Sequence, residues 1–128
     1  MIYLGQPYTH PNPKVMAFRA MVGATAAKIC AERGEPVFAP IPYSIAIDPL
    51  GELPHTFEFW EALDLPIIGI CSELRVLPLP GWSTSAGLKA EAAFAVERGI
   101  PVVHAMALLD TAMERLGFPS WREWGTMA

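Results

Sequence analysis

The sequence predicts an α/β protein in which helices cover both faces of a mostly parallel sheet. Short apolar runs alternate with segments of helical periodicity, and Gly34 and Gly99 follow two of these segments, where a helix stop is expected. Parallel strands need crossover connections, so this alternation favours a parallel sheet. Ligands of such sheets bind beyond the carboxyl ends of the strands. The loops after residues 4 and 79 are therefore the predicted ligand-binding loops.

The first strand and helix follow from simple patterns. Residues 1–4 form an apolar run, and residues 6–13 are too rich in proline for regular structure. A helix is predicted from Pro13, with Asn12 as its N-cap. Its apolar face is expected to contain Val15, Phe18, Met21, Val22, Ala26 and Ile29.

The middle of the chain combines a short strand with a proline-rich segment. A strand is predicted over residues 36–39, and the segment from there to His55, with four prolines, is interpreted as a long loop. Loops of this length are usually binding loops, and an irregular surface connection is the alternative. Two helices are predicted next, over residues 56–63 and 66–72, with a break near Asp64.

The second half repeats the alternation. A strand is predicted over residues 74–79, a turn over 80–85, a helix over 86–98 and a strand over 100–103. A last helix is predicted over residues 108–116. The aromatic residues of this tail are expected to pack either on the body of the domain or on a second subunit, and they are Phe118, Trp121 and Trp124.

Composition limits the possible functions. The length of 128 residues is usual for one domain, so a single domain over residues 1–128 is expected. With 52% apolar and 17% charged residues, the chain is expected to form a packed core. The net charge of −4 and the lack of any lysine or arginine run argue against a binder of duplex nucleic acid. A small anionic ligand remains compatible, because helix N-termini bind phosphate without a basic patch.

The cysteines and histidines give further expectations. Cys30 and Cys71 form no CxxC motif and the chain starts without a secretory signal pattern, which favours a cytoplasmic protein. No apolar run reaches the roughly 20 residues needed to cross a membrane, so no membrane association is expected. The histidines are too scattered for a zinc site, and neither a metal nor a cofactor is expected.

Glu91 and Asp64 are the candidate catalytic carboxylates. Helical spacing places Glu91 on the flank of an apolar face that contains Leu88 and Ala95, where partial burial raises a carboxylate pKa. The alternative is a surface glutamate paired with a base. Asp64 precedes Leu65 and Pro66, and on local evidence this position suits a helix cap. Glycosidic chemistry requires two such carboxyl groups close together.

The residues before Glu91 form a potential anion site. Ser83 and Ser85 stand at the start of a predicted helix, where hydroxyls cap the helix or help backbone N–H groups to bind an anion. Gly87 lies one turn before Glu91 and leaves room for a ligand.

Four segments together resemble the nucleoside 2-deoxyribosyltransferase superfamily. Residues 3–8, YLGQPY, are similar to its YLAGPY-type opening, and Asp64 lies where the family has an acid before a helix. Residues 85–91, with the pattern Ser-x-Gly-x-x-x-Glu, resemble its nucleophile motif. Residues 99–102, GIPV, resemble the strand that follows. The resemblance extends from Tyr3 to about residue 103.

The resemblance implies a flavodoxin-like or Rossmann-like three-layer sandwich with a sheet of four to five strands. It implies a covalent glycosyl intermediate on Glu91, with Asp64 assisting the leaving base or holding the nucleophile and sugar. Ser85 stands where relatives that hydrolyse nucleoside 5′-monophosphates carry a serine, so a monophosphate substrate and water as acceptor are expected. A homo-oligomer is also implied. The expected substrate-binding residues are Tyr3, Gly5, Gln6, Tyr8, Ser83, Ser85 and Gly87.

Three other functions remain open at this point. A transferase that exchanges bases between deoxynucleosides uses the same carboxylates. A non-catalytic module that senses a nucleotide needs Ser85 and the loop after residue 4, and it does not need Glu91 or Asp64. A structural partner protein uses the aromatic tail and binds no nucleotide.

Overall fold

A computed structural model describes residues 1–119 and 121–124, with side chains up to residue 122. Its centre is a sheet of four parallel strands in the order β2-β1-β3-β4. The strands are β1 (Ile2–Gly5), β2 (Val37–Phe38), β3 (Glu73–Val76) and β4 (Val102–His104). This order is that of a flavodoxin-like sheet, in which the connections after β1 and β3 leave toward opposite faces.

Helices alternate with the strands, as predicted. They are α1 (Pro13–Glu32), α2 (Pro40–Ile47), α3 (Phe57–Ile70), α4 (Ala86–Glu97), α5 (Met106–Arg115) and the short α6 (Trp121–Trp124). Among the described residues, no helix has the length and apolar character needed to cross a membrane.

The two faces of the sheet carry separate apolar clusters, because neighbouring residues of a strand point to opposite sides. Leu4 of β1 packs with α1 and α5 on one face, in a cluster that includes Val22 and Leu109. Tyr3 packs with α3 and α4 on the other face, in a cluster that includes Ile68 and Leu88. The α/β class and the three-layer sandwich are thereby confirmed.

Helix α1 begins and ends as predicted. The Asn12 side chain accepts a hydrogen bond from the Lys14 N–H, and Gly34 follows the helix with a positive φ of 74°. The predicted apolar face needs one correction. Met21 is 47% exposed, and Arg19 is buried in the same helix.

The prediction of a loop over residues 39–55 is wrong in its first half, where α2 lies. Pro40 occupies the first helical position, and the Tyr43 N–H, bonded to the Ala39 carbonyl, is the first helical donor. Pro40 and Pro42 both precede that donor, so their missing N–H groups remove no helical hydrogen bond. Only the remainder, from Asp48 onward, is irregular.

The prediction of two helices with a break near Asp64 is also wrong, because α3 runs continuously from Phe57 to Ile70 with Pro66 inside it. Thr56 caps this helix by accepting a hydrogen bond from the Phe59 N–H. Asp64 and Ile68 lie one turn apart on either side of Pro66 in the sequence, and both are buried on the same side of the helix. Tertiary packing therefore outweighs the hydrogen bond that Pro66 cannot make.

Smaller differences concern strand ends and the tail. The third strand ends at Val76, so Pro78 lies in the loop rather than in an inner strand, which fits its missing donor. Trp121 is buried in the cluster on the α1 face, and Phe118 meets Phe18 edge to face at 5.6 Å. For these two aromatic residues, packing on the body of the domain is confirmed. The Trp124 side chain lies outside the described part.

Candidate active site

The two predicted catalytic carboxylates lie on the neighbouring helices α3 and α4, on the same face of the sheet. Asp64 is 8% exposed and Glu91 is 7% exposed. Glu91 shares the buried side of α4 with Leu88 and Ala95. Asp64 lies in the middle of α3, so it is not a helix cap.

Tyr3 connects the carboxylates to the sheet. Its side chain is fully buried, and its hydroxyl donates a hydrogen bond to Glu91 Oε2. The alternative of a surface glutamate paired with a base is thus excluded for Glu91. Tyr3 also acts on Asp64, because its hydroxyl favours the ionised form of that carboxyl. The hydrogen bond itself goes to Glu91.

Burial controls the protonation of this cluster. Desolvation raises the pKa of Glu91 to about 7, the Tyr3 hydrogen bond opposes this rise, and the charge of Asp64 adds to it. Desolvation likewise raises the pKa of Asp64 to about 6, again opposed by Tyr3. The same burial, together with the two carboxylates, raises the pKa of Tyr3 above its usual range. Tyr3 therefore stays protonated as a donor while the two acids titrate near neutral pH.

One oxygen of this cluster has no hydrogen-bond partner. Asp64 Oδ1 is buried without a partner among the described residues. Most buried polar atoms in proteins are hydrogen-bonded, and an exception calls for an explanation such as strain, a reactive role, or a bound water or ion. Asp64 therefore has a buried oxygen that the rest of the described chain leaves unsatisfied.

The glycines near the carboxylates are surrounded by other side chains. A Cβ on Gly5 would lie 2.9 Å from Leu88 Cδ1, so Gly5 allows α4 to approach β1 closely. A Cβ on Gly87 would lie 3.6 Å from Phe57 Cδ2. The space beside Gly87 is therefore bordered by an aromatic ring from the first turn of α3.

The predicted phosphate-binding serines lie at the start of α4. The Ser85 hydroxyl accepts a hydrogen bond of 3.3 Å from the Leu88 N–H, which is the predicted capping arrangement. Ser83 is exposed in a short 3₁₀ turn, Trp82–Thr84, that leads into α4. Tyr8, in the loop after β1, is partly buried. These three residues therefore lie on the two loops that follow the inner strands.

The Gln6 side chain faces α1 rather than the carboxylates. Its Nε2 donates to the Arg19 carbonyl at 2.7 Å, and a Cβ on Gly23 would lie 1.7 Å from its Oε1. Gln6 follows the end of β1 and its side chain lies against α1, whereas Tyr3 faces α3 and α4. The structure thus brings Tyr3, Asp64 and Glu91 together and places Gln6 on the other side.

Two cavities lie away from the carboxylates. One, of about 300 Å³, lies between α1, the loop after β3 and α5, and is bordered by Phe18, Leu79 and Met113. The other, of about 440 Å³, lies between α3 and α4 and is bordered by Leu65 and Phe94. In the described part of the chain, no group of three or more potential metal ligands occurs.

The arrangement is suited to nucleophilic chemistry by a carboxylate. Both acids titrate near neutral pH, Asp64 with a pKa of about 6 and Glu91 with a pKa of about 7, so both carboxylates are ionised at mildly alkaline pH and Glu91 is then a nucleophile. Asp64 and Glu91 lie in the middle of α3 and α4, on the face of the sheet that Tyr3 occupies.

Comparison with known proteins gives a family without an activity. A family model described as a domain of unknown function (DUF1937) matches residues 1–107, which include all the residues of the candidate site. No curated protein matches the sequence.

Proposed function

We propose that this chain, which belongs to the DUF1937 family, cleaves the N-glycosidic bond of a nucleoside 5′-monophosphate with water as acceptor. The observation that carries the proposal is the buried cluster in which Tyr3 donates to Glu91 beside Asp64. Retaining glycosidic chemistry uses two neighbouring carboxyl groups, one of which attacks the sugar. The sequence resemblance assigns the same two acids to these roles.

In the proposed reaction, ionised Glu91 attacks the anomeric carbon and forms a glycosyl ester. The bond to the base breaks with its electron pair on the base nitrogen, which takes a proton from solvent, because Asp64 has the lower pKa of the two acids and is ionised when Glu91 is. Water then attacks the anomeric carbon, the ester bond breaks, and the Glu91 carboxylate is restored. The proton of this water passes to solvent, directly or through the Asp64 carboxylate, so the cycle needs no cofactor.

Tyr3 has a defined role in this proposal. Its hydroxyl orients Glu91 and stabilises the ionised carboxylate against the cost of burial. An unassisted carboxylate at this depth is protonated to a higher pH and is then not nucleophilic. Tyr3 therefore keeps the reactive form of Glu91 populated near neutral pH.

Substrate binding is proposed at the two loops beyond the inner strands. The N-terminal end of α4, with Ser83 and Ser85, offers hydroxyl and backbone N–H groups to a 5′-phosphate. The base is proposed to lie against Tyr8 and an aromatic ring of the segment from Pro40 to Trp60. Phe57 is a candidate for that ring, because it borders the space beside Gly87.

A homo-oligomer and a cytoplasmic location remain part of the proposal. Several large apolar side chains are exposed on the described surface, among them Ile47 at 50%, Leu50 at 81% and Ile70 at 74%. A second copy of the chain is the proposed partner for such surface. Cys30 and Cys71 are both free and buried, which suits a reducing compartment.

The proposal is tested by measuring base release from ribo- and deoxyribonucleoside 5′-monophosphates and from the corresponding free nucleosides, with and without an acceptor base. Release from monophosphates in water, lost in Glu91→Ala, is the expected result. Release only when an acceptor base is present indicates a transferase instead. Binding of monophosphates without any release indicates a nucleotide-sensing module, and the absence of both overturns the proposal.

A further inference from the structure

Arg19 is a buried cation that lies outside the carboxylate cluster. It belongs to α1, is 7% exposed, and donates through Nη1 to the carbonyls of Tyr8 and Thr9 at 3.3 and 3.1 Å. Its Nη2 donates to the Pro80 carbonyl at 2.9 Å. One guanidinium therefore joins the loop after β1 to the loop after β3.

These two loops are the ones that follow the inner strands. The order β2-β1-β3-β4 places the ends of β1 and β3 side by side, where a flavodoxin-like sheet binds its ligand. The first loop carries Tyr8, and the second leads through the 3₁₀ turn to Ser85 at the start of α4. Arg19 thus spans the gap between the proposed base-binding and phosphate-binding residues.

The backbone around Arg19 is shaped to receive it. Gly81 has a φ of 94°, which other residues rarely adopt, and a Cβ at that position would lie 2.6 Å from Arg19 Nη2. On the other side, Gln6 donates to the Arg19 carbonyl and fits into the space left by Gly23. Each of the two loops is therefore fixed to the same turn of α1.

Arg19 forms no ion pair with any described residue. The ion pairs found among the described residues involve Arg75, Arg115 and Arg122, and Arg19 has only backbone carbonyls as hydrogen-bond acceptors. A buried charge without a counter-charge is costly. The planar fork of the guanidinium, which reaches three separate carbonyls at once, is what this position uses.

We infer that Arg19 is a positioning residue that sets the distance between the two substrate-binding loops. The inference rests on the proposed function, because Tyr8, Ser83 and Ser85 are substrate-binding residues only in that proposal. Arg19 acts through the backbone of these loops and does not touch the reacting atoms. Lysine at this position keeps the charge but lacks the fork.

The experiment compares wild type with Arg19→Lys and Gly81→Ala, which disturb the same contact from opposite sides. Arg33→Lys, at the exposed end of α1, is the matched control. The first readout is amide hydrogen exchange of residues 6–12 and 77–85, which needs no substrate. The second is KM and kcat for a nucleoside 5′-monophosphate that the wild type cleaves.

In Arg19→Lys and Gly81→Ala, exchange is expected to rise about tenfold in both loops, because charge-assisted hydrogen bonds are lost. Exchange in α3 and the second half of α4 is expected to change less than about twofold, because no bond to Arg19 lies there. KM is expected to rise about tenfold with kcat within about threefold, because Glu91 and its partners are untouched. Arg33→Lys is expected to match wild type.

Three results overturn the inference. The first is faster exchange throughout the sheet, which indicates a purely structural role. The second is faster exchange in one loop alone, and the third is an unchanged KM. The proposed function fails separately, through absence of turnover in the wild type. In that case the exchange data alone decide whether Arg19 couples the two loops.

Discussion

Replacement of Glu91 by glutamine changes the pH dependence of stability in a direction that burial determines. The pKa of Glu91 is raised from 4.5 to about 7 in the folded chain, so folding favours its protonated form. The stability that this group contributes is complete below pH 4.5 and is lost as the pH rises through about 7. Glutamine keeps an oxygen for the Tyr3 hydroxyl and never ionises.

The magnitude follows from the size of the shift. One pKa unit corresponds to 1.36 kcal/mol, so ionisation of Glu91 is expected to lower the free energy of unfolding by about 3 kcal/mol between pH 4 and pH 8. Glu91→Gln removes this loss. Its stability relative to wild type is therefore expected to increase by about 3 kcal/mol over the same range.

Urea unfolding at pH 4, 6 and 8 measures this difference directly, because the midpoint and slope give the free energy at each pH. Glu97→Gln, on the same helix but exposed, is the matched control and is expected to differ from wild type by less than about 0.5 kcal/mol at every pH. The reasoning is refuted if the stability difference between Glu91→Gln and wild type stays constant with pH. Such a result means that Glu91 has its ordinary pKa in the folded chain.

Four further substitutions test other contacts. Tyr3→Phe removes the hydroxyl that lowers the pKa of Glu91, so the midpoint of the pH–rate profile is expected to move to higher pH, and an unchanged midpoint contradicts this role. Gly23→Ala places a Cβ 1.7 Å from Gln6 Oε1 and is expected to cost about 1–3 kcal/mol in urea unfolding. Gln6→Ala in the same chain is expected to recover part of that loss, and full additivity of the two changes would argue against the contact. Pro66→Ala restores a hydrogen bond within α3 at an exposed position and is expected to raise the stability by about 1–3 kcal/mol, whereas a lower melting temperature would mean that the helix needs the proline.

The position of Glu91 could be predicted from the sequence because it depends on one helix. The spacing from Leu88 to Ala95 determines which side of α4 is apolar, and Glu91 lies within that spacing. The position of Asp64 was harder to predict, because proline normally interrupts a helix and Pro66 therefore predicts a break near Asp64. Its place in the middle of α3 depends on packing against the sheet, which a local rule does not include.

The contacts that define the site join distant parts of the chain. Tyr3 and Glu91 are 88 residues apart, and no periodic pattern relates a strand residue to a helix residue at that distance. Arg19 was missed, although a signal existed. A charged residue that interrupts an apolar helical face beside Phe18 and Val22 is costly to bury unless it has partners, and those partners turned out to be loop carbonyls.

Base release by Glu91→Gln is the most direct test of the central proposal, that the Glu91 carboxylate attacks the sugar. Wild type, Glu91→Gln and Glu97→Gln are compared on nucleoside 5′-monophosphates at pH 8, where the Glu91 carboxyl is mostly ionised. The proposal predicts that Glu97→Gln matches wild type and that Glu91→Gln, still folded, loses at least about a thousandfold in rate, as expected when a nucleophile is removed. A folded Glu91→Gln variant that releases base at the wild-type rate contradicts it.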